Sequence, residues 1–550
     1  MTTTPFSPRK AAWRGWPFVF VAAVWLIVAT QQITLPGVYM DAVDPDYLAV
    51  AMLNSHSEPI APQLLGGNYL FNRFPVLISF YHGSQQVWLG LPFFALFGTT
   101  VAGLRLTHAV FALGILAALH AVLVRGGIKP WQAALAGIAL AVDPGFSYAF
   151  RTQSYITLAP TAWLFLSLYA MQRAGASPAR SRRWLVASGA LQGIAIVGYF
   201  IYAFYLPAMV LALWLWGRSR PAVPAWPRAC LVPWLSGLAI GGTFYMVGYA
   251  LFIRDSGGVS QAWAIFQQTQ ASLGAFSARL SLGDRVAHIA TMVRTVASNW
   301  FHHQLIFGEY APLPGSVPKL WLLVFVPAAL WMYAELRGGA STLLRVVIAL
   351  PVSFAAVALI FGSRLQGHHF VPLLPIVYAA LAVAMFETAA AQPKRRWLHT
   401  VAALGFAALA TLNMAGQVVE ARRLAETRGT GYFSDAINRL AEDLNGQQAK
   451  PFLYFPDWGL SMPIAFLTRG TVGMNFIVDV ESAGRMLCDG RNVAFAAITG
   501  DRAARIANWR EQLRWSAPAV TAYAQADGKI VFELATFAGR RDAPACTGVR

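Results

Sequence analysis

Long apolar blocks alternate with short polar stretches over the first 419 residues of the chain. The blocks are continuously apolar rather than alternating in polarity, which indicates helices rather than strands. A helix built from such a block can cross the hydrocarbon core of a bilayer, which is about 30 Å thick. The pattern predicts eleven spans, near residues 15–35, 104–124, 131–142 continuing toward 150, 155–171, 184–199, 200–216, 231–252, 320–336, 346–361, 370–386 and 397–419.

Lysine and arginine gather in the loops on one side of these spans, at residues 9–14, 125–129, 173–183, 218–228, 337–345 and 394–396. Short loops rich in these residues stay in the cytoplasm. We therefore expect the N-terminus inside, block 15–35 as a retained anchor, and the C-terminus outside. The region 184–216 is interpreted as a tight hairpin. A single kinked helix is the alternative, and it would invert everything that follows.

Three segments are then expected on the outer face: residues 37–85, residues 254–319 and the tail from 420. Within the second, residues 259–301 indicate amphipathic helices at the membrane surface. The tail carries 14 of the 24 acidic residues. Its pattern predicts strands at 451–455, 471–478, 493–498 and 529–534 and helices at 431–444 and 501–513. The expected architecture is a polytopic helical membrane domain, residues 1–419, followed by a small extracytoplasmic α/β domain, residues 420–550.

The composition agrees with this architecture and excludes one class of partner. The chain is 57% hydrophobic and 12% charged, with a mean hydropathy of +0.50, which is outside the range of soluble proteins. Its net charge of +18 lies in the loops between spans, and no nucleic-acid motif occurs, so membrane lipid rather than nucleic acid is the expected partner. Cys488 and Cys546 both lie in the tail. They could form a disulfide or remain as two free thiols, and the sequence allows both alternatives.

Acidic residues cluster in the first outer segment. Asp41, Asp44, Asp46 and Glu58 lie there, and the next acidic residue is Asp143. A carboxylate cluster beside a membrane span predicts a functional site. One interpretation is structural, with Asp44 as the N-cap of a helix that begins at Pro45. The other is catalytic, with a carboxylate that takes a proton from an acceptor hydroxyl.

A series of short motifs follows along the chain. They are Asp44-Pro45-Asp46-Tyr47, Phe71-Asn72-Arg73-Phe74-Pro75, Tyr81-His82-Gly83, Leu96-Phe97-Gly98, Arg105-Leu106, Asp143-Pro144 with Arg151, and Arg364 with His368-His369-Phe370, Pro372 and Pro375. In this order and spacing the chain resembles the polyprenyl-phosphate-sugar-dependent glycosyltransferases of the GT-C superfamily. The likeness is to bacterial relatives of protein O-mannosyltransferases and of the lipid A aminoarabinose transferase, and it extends to about residue 390.

The chain departs from the family pattern in three places. The family's Asp-Glu pair is missing, so its catalytic carboxylate maps to Asp44, Asp41 or Asp46. Only one proline follows Arg73, and a histidine pair replaces the late Arg/His-Tyr motif. The resemblance implies transfer by direct displacement with inversion, but the missing pair leaves the choice of base open.

The resemblance also implies roles for basic and aromatic residues at the outer face. Arg73, Arg151 and Arg364 are expected to bind the donor phosphate, which arginine can do with two parallel hydrogen bonds. The alternative for each is a helix-end charge that reaches the interface, and Arg105 is interpreted as structural. The remaining candidate substrate contacts are Tyr81, His82, His368, His369 and Glu309. Adjacent histidines do not share a helix face and no zinc spacing occurs, so no metal ligands are assigned, and a divalent cofactor is left open.

These features predict a glycosyltransferase of the bacterial inner membrane. It would move a sugar from a polyprenyl-phosphate donor to a lipid, polysaccharide or protein acceptor of the cell envelope. Two alternatives are a lipid or polysaccharide flippase and a GT-C-fold scaffold without activity. A flippase would need ionisable residues along a midplane pathway, whereas here they gather at one face.

Overall fold

A computed structural model describes residues 15–54, 67–71, 74–152, 159–176, 181–218, 227–274, 281–309 and 316–546. The protein is mostly helical up to Thr427. The α-helices of this part are Trp16–Thr30, Asp46–Leu53, Gln85–Phe97, Val101–Arg125, Pro130–Ala141, Pro144–Ser147, Ala149–Thr152, Ala159–Ala176, Ser181–Gly198, Leu206–Arg218, Val232–Gly241, Thr243–Asp255, Val259–Gly274, Leu282–Ala297, Trp300–Phe307, Ser316–Leu336, Thr342–Phe361, Gly367–Phe370, Leu373–Ala390 and Trp397–Thr427.

Six of the described helical segments are long and apolar enough to cross a membrane alone: Val101–Arg125, Phe200–Gly217, Ser316–Leu336, Thr342–Phe361, Gly367–Ala390 and Trp397–Thr427. Two bent pairs raise the number to eight, one of them Pro130–Ala141 with Pro144–Thr152, which bends by 67°. The protein is therefore a multi-pass membrane protein. Each predicted apolar segment falls on a helix, but the count of eleven spans stays a prediction.

The chain turns back at Tyr199, between two apolar segments that the sequence left ambiguous. Tyr199 is extended, with φ −158° and ψ 133°, and separates the helix Ser181–Gly198 from a 3-10 helix, Phe200–Tyr205. The Gln192 side-chain amide donates to the Tyr202 carbonyl over 2.9 Å. Ten residues of continuous helix would separate these positions by about 15 Å, so the single-helix alternative is wrong.

The two helices after residue 258 have the amphipathic character that the sequence predicts. Val259–Gly274 and Leu282–Ala297 are both helical, and the second begins with a capping box between Ser281 and Asp284. Leu282 and Val286 are exposed, whereas Ile289 and Val296 are buried. Their position at the membrane surface stays a prediction.

Two β-sheets complete the fold. The segment 37–85, which was predicted to lie on the outer face, contains a small antiparallel sheet that the sequence analysis missed. Its strands are β1 (Asn68–Leu70), β2 (Phe74–Ser79) and β3 (His82–Gly83). A five-stranded sheet in the tail has the order β5-β4-β6-β8-β7. Its strands are β4 (Phe452–Tyr454), β5 (Met474–Asn475), β6 (Val493–Ile498), β7 (Ala519–Ala524) and β8 (Ile530–Phe537). The contacts of β4 with β5 and β6 are parallel, and those of β8 with β6 and β7 are antiparallel.

The tail helices are Ala436–Gly446, Ser461–Leu467, Val480–Cys488 and Arg502–Leu513. Cys488 and Cys546 form a disulfide, which resolves the alternative left open by the sequence. The tail thus contains both helices and strands, whereas its delimitation as a separate domain and its place outside the membrane stay predictions.

The part of the chain that carries Asp41, Asp44 and Asp46 is called the acidic segment here. The tail packs directly on it. Tyr39 stacks on Tyr432 at 4.8 Å between ring centroids, and the Gly37 amide donates to the Phe433 carbonyl over 2.8 Å. A Cβ at Gly37 would lie 2.1 Å from the Ser434 carbonyl oxygen, so the two backbones can approach this closely only with glycine. One hydrophobic core, in which Tyr47 and Phe433 are both buried, joins the two regions.

A buried ion pair joins several helices of the membrane part. The Lys319 ammonium donates to Asp143 over 2.7 Å and to the Asn299 side chain over 2.8 Å. Tyr378 donates to the second Asp143 oxygen over 2.7 Å, and Asn413 donates to Tyr378 over 2.7 Å. All five side chains are buried, so the Asp143 and Lys319 charges depend on each other and on these hydrogen bonds for stabilisation.

We expect Lys319→Met to destabilise the protein by about 3–5 kcal/mol, because it leaves the Asp143 carboxylate buried without its countercharge. Thermal unfolding in detergent, followed by tryptophan fluorescence, measures the effect. The matched control is Arg345→Met, which removes a cation from a partly exposed pair with Glu335 and should cost about 0–1 kcal/mol. Equal losses in the two variants would contradict the assignment.

Candidate active site

Two arginines hold the backbone where the chain leaves its first helix. Arg105 donates to the carbonyls of Ile33 and Pro36 over 2.9 and 2.6 Å. Arg151 donates to the carbonyls of four residues, Ala29, Gln31, Gln32 and Leu35, over 2.5–3.5 Å. Both side chains are buried. The pair therefore satisfies carbonyl groups that the helix Trp16–Thr30 and the following turn leave open.

This arrangement confirms the structural interpretation of Arg105 and bears on Arg151. Because its two terminal nitrogens contact four backbone carbonyls, Arg151 has no terminal N–H group turned toward a donor phosphate. The structure therefore favours the structural alternative for Arg151. Together with Arg105, it fixes the start of the acidic segment.

The acidic residues follow on two short helices. Asp41 lies in the 3-10 helix Met40–Ala42, and Asp46 is the first residue of the helix Asp46–Leu53. The N-cap of that helix is Pro45, and no side chain caps it. The expected N-cap role of Asp44 is therefore wrong. Asp44 lies one residue too early to cap the helix, so its buried carboxyl group has no such structural function.

Asp46 is fully buried and well supplied with partners. Its Oδ2 accepts from the Gln86 amide over 2.8 Å and lies 2.8 Å from His108 Nε2. The other imidazole nitrogen lies 3.1 Å from the Phe150 carbonyl oxygen, which can only accept, so that nitrogen carries a proton. Asp46 and His108 must then share a second proton across their contact. Asp46 is thus bound into the helix packing.

Asp44 has a different environment. Its Oδ2 lies 3.5 Å from Nε2 of His82, and no donor among the described residues reaches its Oδ1, which is buried. Burial, followed by the nearby charges of Asp41 and Asp46, raises the pKa of Asp44 well above its usual value. Burial lowers the pKa of His82 to about 3, so at neutral pH this imidazole is uncharged and does not offset the Asp44 charge.

Tyr199 connects the first outer segment with the late histidine pair. Its ring lies 5.8 Å from that of Tyr81 and 6.2 Å from that of His82, centroid to centroid. Its hydroxyl lies 3.0 Å from His369 Nε2. The other imidazole nitrogen, Nδ1, lies 3.0 Å from the backbone nitrogen and 3.3 Å from the backbone carbonyl oxygen of Gln366. The structure thus brings Tyr81, His82 and His369 together.

The pKa values of this group follow from burial. Burial, followed by the Asp44 and Asp41 charges, raises the pKa of Tyr81 above its usual value. The His368 and His369 rings lie 3.9 Å apart.

The remaining candidates lie elsewhere or outside the described residues. Arg364 ends the 3-10 helix Gly362–Arg364 and is exposed. Glu309 forms an exposed ion pair with Arg423, in line with a solvated loop charge. Arg73 and Glu58 lie outside the described residues. In the described ranges, no three His, Cys, Asp or Glu side chains are grouped to hold a metal ion.

Sequence reasoning missed His108 and Tyr199. His108 lies within an apolar span and had no visible partner, because Asp46 is 62 residues away in the chain. Tyr199 stood at an ambiguous boundary between two apolar segments. Its position at the boundary between two apolar segments was the available signal, since tyrosine is enriched where spans end at the membrane–water interface.

No protein-family model matches the sequence, and no curated protein matches it. The structure is similar to apo ArnT from Cupriavidus metallidurans, with a TM-score of 0.58 and 15% identity, over 96% of this chain and 99% of that one. It is equally similar to the same ArnT bound to undecaprenyl phosphate, with a TM-score of 0.58 and 14% identity, over 96% and 98% of the two chains.

This chain shares the fold of ArnT. The similarity extends over membrane helices and tail together, because nearly all of both chains align. In this fold, the acidic segment is enclosed between the membrane helices, through Arg105 and Arg151, and the tail, through Tyr39 and Gly37. The acidic segment therefore has rigid supports on both sides.

We expect Arg151→Lys to lower the thermal unfolding midpoint. Once the smaller folded fraction of the variant is taken into account, its affinity for the donor should equal that of the natural protein. Lysine keeps the charge but lacks the planar fork, so several buried carbonyls lose their donors, at about 1–3 kcal/mol each. The control is Arg254→Lys, whose side chain is 67% exposed. A stable Arg151→Lys protein with strongly weakened binding of polyprenyl phosphate would instead identify Arg151 as a phosphate ligand.

Proposed function

We propose that this protein transfers a sugar from a polyprenyl-phosphate donor to a hydroxyl group of an envelope acceptor, at the outer face of the bacterial inner membrane. The observation that carries the proposal is the Asp44 carboxyl group: it is buried, its Oδ1 accepts no bond from the described residues, and it lies in the first outer segment of a GT-C fold. A buried acceptor oxygen without a donor needs an explanation, and an acceptor hydroxyl supplies one.

The chemistry of Asp44 suits a general base. Its pKa is raised by burial and by Asp41 and Asp46, and a carboxylate with a raised pKa binds a proton more strongly. A base is most effective when its pKa approaches the working pH. Asp46 is less suited, because Gln86 and His108 already occupy its Oδ2. Asp41 remains the second candidate.

The reaction is a direct displacement at the anomeric carbon of the donor sugar. The acceptor oxygen forms a bond to that carbon, the bond between the carbon and the phosphate oxygen breaks, and polyprenyl phosphate leaves with the bonding electrons. Asp44 takes the acceptor's hydroxyl proton. Attack from the face opposite the phosphate inverts the anomeric configuration.

The phosphate that leaves needs positive charge or hydrogen-bond donors. Arg73 and Arg364 remain the proposed phosphate ligands, supported for Arg364 by its exposed position after the helix Thr342–Phe361. Arg151 is assigned instead to positioning the acidic segment. Undecaprenyl phosphate is the ligand of one ArnT structure, and a donor of the same class is proposed here.

The first test is Asp44→Asn. We expect transfer to fall by about 100- to 10,000-fold, because the amide keeps the shape of the carboxyl group but cannot take the proton. Purified protein in nanodiscs is supplied with polyprenyl-phosphate-linked sugars and an envelope lipid extract, and release of polyprenyl phosphate is measured. Lipids from cells that lack the protein identify the donor, since its polyprenyl-phosphate sugar should accumulate.

Matched variants separate the candidates. Asp41→Asn tests the second candidate directly. Asp46→Asn should mainly lower stability, because it disturbs the shared proton with His108. If only Asp41→Asn is inactive, the enzyme class stands and the base is Asp41. If all three variants transfer normally, the carboxylate mechanism fails, and a flippase or an inactive scaffold becomes the better explanation.

The raised pKa of Asp44 also predicts a pH dependence. The folded protein favours the protonated carboxyl group of Asp44. Its contribution to stability is therefore fully present at pH values below its usual pKa, near 3.8, and is lost as the pH rises through the raised pKa of the folded state. At neutral pH, Asp44→Asn should therefore unfold at a higher temperature than the natural protein, with a difference that shrinks toward pH 4. Transfer should increase with pH through the same pKa. A pH-independent difference in unfolding temperature would show that Asp44 is not perturbed.

A further inference from the structure

A cavity of about 520 Å³ lies between the ends of three apolar helices, Ser316–Leu336, Thr342–Phe361 and Gly367–Ala390. It is called the helix-end cavity here, and the loops 337–341 and 391–395 complete its lining. Each of the three helices is long enough to cross a membrane. Since such helices end at the level of the lipid headgroups, the cavity lies beside headgroups rather than acyl chains. Its volume suits a small polar ligand.

The helix-end cavity is separate from the candidate active site. His369 and Glu387 lie near opposite ends of the segment Gly367–Ala390, and the rise of a helix places them about 27 Å apart. His369 adjoins Tyr199 and the first acidic residues, whereas Glu387 lines the cavity. Both loops of the cavity carry basic residues of the set that predicts a cytoplasmic location. Under that topology the cavity opens toward the cytoplasmic leaflet.

Glu387 is a half-buried carboxylate without a countercharge. Its Oε1 accepts a hydrogen bond from the Ser341 hydroxyl over 2.7 Å. No cation in the described ranges forms an ion pair with it. Arg345, one turn beyond Ser341, instead donates to the two oxygens of Glu335 over 2.6 and 2.8 Å. Because a hydroxyl is neutral, the Glu387 charge is left for a cation from outside the chain to offset.

Two arginines supply positive charge to the exposed part of the same lining. Arg337 and Arg395 are both exposed, and the Arg337 guanidinium lies over the Tyr333 ring, 5.6 Å from its centroid. The Tyr333 hydroxyl accepts from the Gln392 amide over 3.0 Å, so its own proton stays available for donation. Guanidinium and phenol groups are suitable donors for a phosphate. The cavity therefore offers a carboxylate and a phosphate-binding group side by side.

Large apolar side chains adjoin the cavity on its exposed side. Leu336, which is 85% exposed, directly precedes Arg337, and Trp397, which is 57% exposed, follows Arg395 by two residues. Acyl chains cover such side chains in a membrane, and tryptophan is enriched where spans end at the interface. A phospholipid whose chains lie against these residues has its headgroup beside the cavity.

We propose that the helix-end cavity binds the headgroup of a phospholipid that carries a primary ammonium group, with phosphatidylethanolamine as the probe. The ammonium donates to Glu387, and the phosphate contacts Arg337 and Arg395. A headgroup without a cation leaves Glu387 uncompensated, and a quaternary ammonium has no N–H group to donate. Basic loops are expected at this face of any membrane protein, so the carboxylate among them carries the proposal. It concerns binding alone and is independent of transfer by Asp44.

The test is competition binding on the full-length protein. Protein that has been stripped of lipid in detergent is mixed with phosphatidylethanolamine, phosphatidylcholine and phosphatidylglycerol of identical acyl chains, and bound lipid is counted by native mass spectrometry. We expect phosphatidylethanolamine to bind about tenfold more tightly than the other two, because it alone donates a charge-assisted hydrogen bond to Glu387. Equal binding overturns the proposal, and so does tighter phosphatidylglycerol binding, which a merely basic pocket would give.

A first pair of variants tests the ammonium contact. Glu387→Gln keeps an oxygen that can accept from Ser341 but removes the charge, so the preference for phosphatidylethanolamine over phosphatidylcholine should disappear. The control is Glu426→Gln, which removes an exposed carboxylate near the far end of the helix Trp397–Thr427 and should leave the preference unchanged. A preference that survives in Glu387→Gln, or that falls equally in both variants, contradicts the ammonium contact.

A second pair tests the phosphate contact. Arg395→Gln should weaken phosphatidylethanolamine and phosphatidylcholine alike, by about tenfold, because both lipids carry the phosphate. Arg396→Gln is the matched control, since Arg396 is the next residue and is also exposed but does not line the cavity. Equal weakening by the two variants would reflect general attraction to a basic loop and would overturn the site. Asp44→Asn should bind all three lipids normally, so loss of transfer and loss of lipid binding are separable.

Discussion

The arrangement of the segment that carries Asp41, Asp44 and Asp46 depends on satisfying backbone carbonyls where the chain leaves the helix Trp16–Thr30. At the edge of a membrane protein, unpaired carbonyls are costly unless donors reach them. Arg105 and Arg151 supply those donors from two other helical segments. Because their guanidinium groups donate to backbone carbonyls between Ala29 and Pro36, the backbone that leads into the acidic segment is held in place. The tail then holds the same segment from the opposite side through Gly37 and Tyr39.

Much of the architecture could be predicted from the sequence, because a helix that crosses a bilayer needs a long, continuous apolar run, and such runs are visible in the sequence. The apolar helices, the strand Val493–Ile498 and the helix Arg502–Leu513 were found close to their observed bounds. The small sheet β1–β3 was missed, since its strands are only 3, 6 and 2 residues long and carry no clear alternation. The reversal at Tyr199 was ambiguous for a related reason: an apolar run does not show where a helix stops.

The candidate site was predicted by residue type and by resemblance, but the partners of each side chain could not be. Arg151 was a plausible phosphate ligand because arginine suits phosphate. The same fork geometry equally suits a row of carbonyl oxygens, and only the fold shows which is present. Likewise, Asp44 and Asp46 are indistinguishable in sequence. Their difference arises from His108 and Gln86, which lie 62 and 40 residues beyond Asp46.

Because their partners differ, the neighbouring carboxyl groups of Asp44 and Asp46 suit two different roles. Asp46 shares a proton with the His108 imidazole and accepts a hydrogen bond from the Gln86 side-chain amide, so the cost of burying its carboxyl group is offset. Asp44 has a neutral imidazole at 3.5 Å, and its Oδ1 accepts no hydrogen bond from the described residues, so the cost of burying its charge is not offset. Pairs of acids whose environments diverge in this way are typical of sites where one acid transfers a proton and the other holds position. An uncompensated carboxylate destabilises the fold, and it persists here because the two arginines and the tail fix its backbone regardless of its protonation.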